Sequence, residues 1–171
     1  MEITIRKAAP GDVADVAGIL SEAAQWLERA GMGMWRADEL TRERVSKDVN
    51  DGLFYLAEVG QLVGTLKFQL SDVEIWPDVP DGDSAFVHRL AVRRAFAGQG
   101  VSTAMLTWAA TRAAEVNRHL LRLDCEASRA RLRAVYERFG FRHHSDRQVG
   151  PYFVSRYELD VRQFNVSSTA G

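Results

Sequence analysis

HRLAVRRAFAGQGVSTAML, residues 88–106, decides how the rest of the chain is read. Apolar Leu90, Ala91 and Val92 close a strand, a turn carries Gly98 and Gly100, and a helix begins at once with Val101-Ser102-Thr103. Glycines let a backbone approach a ligand closely. A helix start presents unpaired N–H groups and a partial positive charge, which suits a phosphate. Arg93 and Arg94, just before the turn, are placed to add charge-assisted contacts. A dinucleotide fingerprint would need a third glycine where Thr103 stands. A P-loop would need a lysine where Val101 stands. A third, competing reading of the turn is a cradle for the pyrophosphate of coenzyme A.

Working outward, Ile3 and Ile5 alternate with polar neighbours as a first strand. Pro10-Gly11-Asp12 opens a helix whose Val13, Val16, Ala17, Leu20, Ala24 and Leu27 recur at helical spacing. Residues 38–50 form a second helix. Residues 53–59 and 62–70 pair as a hairpin around Gly60-Gln61. Residues 72–83, with two prolines, five carboxylates and no Lys or Arg, form a loop. Residues 86–92 give the fourth strand, 101–117 a long helix and 120–125 the fifth strand. A helix capped by Ser128 runs to Phe139 and stops at Gly140. Residues 141–143 and 152–159 are the last strands. The order β-α-α-β-β-β-α-β-α-β-β indicates an α/β domain with a mixed sheet. At 171 residues the chain suits roughly one domain of the usual ~100–200 residues. Residues 1–162 are expected to form it, with 163–171 as a short polar tail.

Composition bounds the function. A single cysteine, Cys125, excludes an internal disulfide and a cysteine-rich metal site. No stretch approaches the ~18 apolar residues of a membrane span, and MEITIRKA lacks the core of a signal peptide, so a cytoplasmic protein is expected. No HExxH or Cys/His spacing is present and no metal is expected; His143 and His144, adjacent on a strand, make a poor metal pair. The net charge of −1 hides two opposed halves. Residues 1–85 hold 8 basic against 16 acidic residues, and residues 86–171 hold 14 against 7, so the halves carry −8 and +7. Such asymmetry points to an anionic ligand for the basic half and a cationic partner for the acidic one, unless the halves simply attract each other. The even total argues against a nucleic-acid binder.

Two motifs carry a family resemblance. Ala97-Gly98-Gln99-Gly100-Val101-Ser102 resembles the acyl-CoA motif Q/R-x-x-G-x-G/A of the GNAT superfamily of N-acetyltransferases, with Ala97 for the usual Gln or Arg and Ser102 for the final Gly or Ala. One strand and one helix further on, Tyr136-Glu137-Arg138-Phe139-Gly140-Phe141 resembles the family's Y-E-x-x-G-F signature. The element order fits across nearly the whole chain. The resemblance implies a mostly antiparallel sheet of about seven strands flanked by four helices, with the fourth and fifth strands splayed apart. It implies acetyl-CoA as cosubstrate, cradled by Ala97, Gly98, Gln99, Gly100, Val101, Ser102 and Thr103, with the acyl carbonyl held by backbone at Leu90, Ala91 and Val92. It implies direct attack of a primary amine on the thioester, with CoA leaving as the thiolate. No nucleic acid or membrane partner is expected, and the family's frequent dimers leave a homodimer open.

By the same resemblance Tyr136 is the general acid, since an ordinary tyrosine pKa of ~10 keeps it protonated at neutral pH; the competing reading packs it against Gly140 and Phe141. His88-Arg89-Leu90-Ala91-Val92 resembles the H-x-L-A-V stretch of arylalkylamine N-acetyltransferases, which makes His88 a candidate base; the competing reading is a structural histidine bonded inside the sheet. Glu74, Asp124 and Glu126 are further base candidates. Asp124 and Glu126 share one face of the fifth strand, where their other role is salt bridging to the following helix's arginines. Trp35, with Glu74 and Asp124, is expected to line the acceptor site, and Trp76 to add to its wall. Trp35 would otherwise pack a loop onto the sheet. Cys125 reads as a core thiol. The related sequences carry Asn where Arg129 stands. A cationic small-molecule amine is the acceptor expected from the charge split. A protein N-terminus or lysine, or a non-catalytic acyl-CoA sensor, are the alternatives.

Overall fold

The computed structural model describes residues 1–33 and 35–164; Met34 and the expected tail residues Asn165–Gly171 lie outside the described residues. Seven strands run through the chain: β1 (Thr4–Lys7), β2 (Phe54–Glu58), β3 (Leu62–Gln69), β4 (Ser84–Val92), β5 (Leu120–Glu126), β6 (Arg142–Val149) and β7 (Tyr152–Asp160). Four helices accompany them: α1 (Val13–Arg29), α2 (Arg42–Asn50), α3 (Val101–Glu115) and α4 (Ala130–Phe139). Residues 161–164 are also helical. The sheet order is β1-β2-β3-β4-β5-β7-β6. Only β4 and β5 are parallel among the strand pairs whose registers are defined, so the sheet is mixed and mostly antiparallel, as the resemblance implies.

The chain resolves into two compact units, 1–68 with 89–106, and 69–88 with 107–171. The first is built on the β1-β2-β3 meander. Val16, Ile19 and Leu20 of α1 and Val45 and Val49 of α2 bury against Phe54 and Leu56 of β2 and Ala91 of β4. The expected single helix over 38–50 is instead a 3-10 turn, Ala37–Leu40, followed by α2. Thr41 separates them, because its hydroxyl accepts the Arg44 N–H at 3.4 Å as an N-cap. Gly64 of β3 is there for space. A Cβ at that position would lie 3.0 Å from Met105 Sδ, 3.1 Å from the Ala91 carbonyl oxygen and 3.2 Å from a Val101 methyl.

The second unit holds β5, β6, β7 and α4. β5 and β7 pair along their whole length, Leu120 opposite Asp160 through Glu126 opposite Val154. β6 runs to Val149, well past the expected end at His143. It is an edge strand with no buried residue, so its sequence RHHSDRQV lacks the alternation that marks a half-buried strand. Ser128 does not cap α4: Arg129 occupies the N-cap, and the Ser128 hydroxyl donates to Glu126 at 3.2 Å. Two buried arginines order this unit. Arg122 donates to Ser84 Oγ at 2.8 Å and pairs with Glu158 at 3.2 Å. Arg156 pairs with Asp78 at 2.7 Å and donates to the Ile75 carbonyl at 3.0 Å. Both guanidinium groups lie near the Trp76 ring, 5.1 and 4.6 Å from its centroid.

Gly64→Ala is expected to destabilise the protein by about 1–3 kcal/mol, since one of the three tight contacts is backbone at Ala91, which gives way less readily than a side chain. Urea denaturation of the two proteins checks this.

Candidate active site

Strand β4 begins in register with β5. Ser84, Ala85 and Phe86 pair with Leu120, Leu121 and Arg122. The defined register stops there, although β4 runs on to Val92 and β5 to Glu126. Three residues past the last pair, Arg89 adopts φ +54°. A non-glycine residue in the left-handed region breaks the strand's regular path and costs about 1–2 kcal/mol. The break falls between His88 and the Leu90-Ala91-Val92 segment that the family resemblance assigns to the acyl group. Ala91 is buried in the core of the first unit, while Leu90 and Val92 are half-buried.

The turn expected to form the cradle lies in the first unit. Gly98 and Gly100 both take positive φ, +74° and +85°, and a Cβ at either would meet nothing within 4 Å. Residues 97–100 are exposed. The Ala104 N–H bonds back to the Gly100 carbonyl at 3.0 Å, so the amides before it lie at the open start of α3. Exposed N–H groups on a turn free of side-chain obstruction fit the pyrophosphate of coenzyme A. Gln99 folds over the turn, donating from its amide to the Ala95 carbonyl at 3.0 Å. The two arginines ahead of the turn have other work. Arg93 donates to the Leu62 carbonyl at 3.0 Å, and Arg94 stacks on Trp26 at 3.8 Å. The backbone N–H of Arg94 donates to Glu22 at 3.0 Å.

The same unit contains a cavity of about 220 Å³, lined by residues of α1, α2, β2 and β3 and by Arg89. Trp35 is half-buried against the core beside it, and the Arg89 guanidinium lies 5.3 Å from its ring. Trp35 therefore packs on the core, as one of its two readings expects, and the cation beside its ring is the protein's own Arg89.

In the second unit His88 sits between two carboxylates. Its Nε2 is 2.7 Å from Asp72 Oδ2 and its Nδ1 3.5 Å from Asp124 Oδ1. The Asp72 contact is an ion pair lying off the N–H axis rather than a linear hydrogen bond. The other Asp72 oxygen accepts the N–H groups of Glu74 and Ile75 at 3.1 and 3.0 Å, fixing the start of the 72–83 loop. Burial alone would lower the pKa of His88. Its contacts with Asp124 and Asp72 more than offset this and raise it to about 9. Burial alone would likewise raise Asp72, and the His88 contact with the two backbone N–H bonds holds it below the usual carboxylate range. His88 is therefore an imidazolium at neutral pH, a consequence of partners that local sequence could not show. Asp124, expected among the acceptor-site residues, faces His88; Glu74 is exposed. Asp72, one acid among five in a loop, escaped the sequence reading.

Tyr136 is buried, edge-on to Phe141 at 5.9 Å and 6.1 Å from Tyr157. Its hydroxyl has no hydrogen-bond partner among the described residues. Burial, with the neighbouring Cys125 and Asp124, pushes its phenol above the usual range, so it stays protonated. Cys125 is buried and its thiol is pushed up to about 12, chiefly by burial, which leaves it an inert core residue. Trp76, expected as part of an acceptor wall, is instead buried beside the Arg122 and Arg156 guanidinium groups.

Residues 20–141 match the acetyltransferase (GNAT) family. The chain belongs to that family. It is 28% identical over 137 residues to the uncharacterized N-acetyltransferase YesJ of Bacillus subtilis, covering 76% of each chain. A GNAT-family acetyltransferase structure from Listeria monocytogenes superposes with a TM-score of 0.75 at 24% identity, over 93% of this chain and 96% of that one. The structure of yncA from Salmonella typhimurium with acetyl-CoA superposes with a TM-score of 0.71 at 17% identity, over 94% and 95%. As a GNAT member the chain is an acyltransferase with acetyl-CoA as cosubstrate. No helix among the described residues is long and apolar enough to cross a membrane.

The charged His88 contributes stability that is fully present below about pH 6.5 and is lost as pH rises through about 9. Asp72→Asn is expected to lower the His88 pKa, moving that loss to lower pH. An NMR titration of the imidazole protons in both proteins checks the shift.

Proposed function

We propose that this acetyltransferase acetylates a primary amine on a small molecule, by direct attack in a ternary complex. The observation that carries the reading is the cavity beside Trp35. At about 220 Å³ it is smaller than the ~300–1,000 Å³ of drug-sized sites, which suits a small acceptor better than a folded protein's N-terminus or lysine.

Acetyl-CoA, when bound, supplies the activated acyl carbon and a thiolate leaving group. The chain's own residues do the rest. The amides from Ala97 to Thr103 take the pyrophosphate, and backbone at Leu90, Ala91 and Val92 polarises the acyl carbonyl. His88 takes the proton from the acceptor ammonium. With its pKa raised to about 9, it is a stronger base than an ordinary histidine, closer to the amine it serves, and is free to accept a proton mainly under alkaline conditions. Asp72 and Asp124 hold the ring and stabilise the charge it gains. Tyr136, protonated and with its hydroxyl unpartnered, donates to the leaving sulfur. A protonated acid and a raised base fit catalysis better than a sensor that only binds acyl-CoA.

Release of free thiol from acetyl-CoA in the presence of amines tests the reading; binding of acetyl-CoA with no release for any small amine would overturn it. The lower limb of the kcat/KM profile is expected near pH 9 and should vanish in His88→Ala. Tyr136→Phe is expected to lower kcat by about a hundredfold while the acetyl-CoA dissociation constant, read by calorimetry, stays unchanged.

A further inference from the structure

Arg89 is the one residue of β4 held in left-handed backbone, and its side chain lines the cavity together with Arg44, Lys47, Lys67, Glu39 and Asp48. Two of the four cations are neutralised in place: Lys67 pairs with Asp48 at 3.0 Å and Lys47 with Asp51 at 2.9 Å. Glu39 accepts the Arg36 N–H at 2.7 Å. Among the described residues no carboxylate pairs with Arg89 or Arg44. The contact that Arg89 does make, with the Trp35 ring at 5.3 Å, orients a guanidinium without neutralising it.

From this we infer that the acceptor is an amine that also carries a carboxylate, and that Arg89 reads that carboxylate. The inference rests on the amine-acetyltransferase reading above. A half-buried guanidinium that no carboxylate among the described residues pairs with leaves its planar fork of donors open, and a carboxylate fills that fork with two parallel hydrogen bonds. The backbone strain at Arg89 is of the kind that structures keep where a side chain must be aimed. Arg89 also directly precedes Leu90, the first residue assigned to the acyl carbonyl. In sequence Arg89 stands between His88, the proposed base, and Leu90, which suits an acceptor with amine and carboxylate close together, an amino acid more than a long diamine. This reverses the preference for cationic acceptors that the acidic half of the sequence suggests. The loop acids Asp72, Asp78 and Asp83 are engaged with His88, Arg156 and Arg122 inside the other unit.

The test compares matched acceptors: L-phenylalanine with phenethylamine, L-methionine with 3-(methylthio)propylamine, L-lysine with cadaverine, and each amino acid with its aminophosphonate analogue. At least one amino acid is expected to exceed its decarboxylated partner by roughly tenfold or more in kcat/KM, the effect of one charge-assisted contact. Arg89→Asn, which tolerates the left-handed backbone, should erase that ratio mainly through KM, and Arg89→Lys should restore part of it. Decarboxylated amines winning in every pair would overturn the inference. So would a ratio that survives in Arg89→Asn, or a phosphonate preferred over its carboxylate. Calorimetry separates the two levels. If acetyl-CoA fails to bind, the transferase reading fails. Amino-acid binding that is present in the wild type and lost in Arg89→Asn would still uphold the carboxylate site, and equal binding by both would overturn it.

Discussion

Much of the candidate chemistry depends on where strand β4 stops behaving as a strand. A regular strand would carry its pairing with β5 onward and alternate its side chains without interruption. Arg89 in left-handed backbone ends that regularity one residue before the segment that resembles the family's acyl-binding backbone. Backbone donors and acceptors that leave a ladder become available to a ligand, which is why bulges recur beside active sites. The strain has a compensation in view, since the same backbone turn carries the guanidinium that stacks on Trp35.

Electrostatics is the second organising theme, and it is local rather than global. The sequence splits into halves of −8 and +7. Opposed charges meet as specific pairs: Asp72 with His88, Asp78 with Arg156, Asp83 with Arg122, and Glu22 with Arg93. The attraction between halves that the sequence left as the plainer reading accounts for much of the split. What remains of functional interest is a histidine raised by two carboxylates and a half-buried cavity arginine, Arg89, that no carboxylate pairs with among the described residues.

Element order was legible throughout because hydrophobic period and turn residues are local signals. The glycine turn was legible for the same reason: Gly98 and Gly100 stand where φ is positive, both within four residues of the helix start. Where those signals are weak, the sequence misled. β6 is polar on both faces and was read too short. Thr41 divides a helix that periodicity joined, and Ser128, a good cap by type, spends its hydroxyl on Glu126. Trp76 is a tryptophan in an acidic loop, and only the arrival of Arg122 and Arg156 shows it to be a core residue.

By itself the sequence determined the α/β architecture and, through two motifs, a family resemblance that makes the Gly98–Gly100 turn, Tyr136 and His88 candidates. These rest on residue order along the chain, which folding preserves. The tertiary structure alone decided what those residues are chemically. Asp72 lies 16 positions before His88 and Asp124 lies 36 after it, and their convergence makes the imidazole cationic at neutral pH. Trp35 and Arg89 are likewise far apart in the chain and meet only in the fold. A pKa or an unpaired charge is a property of neighbours in space, and a linear pattern of residue types does not carry it.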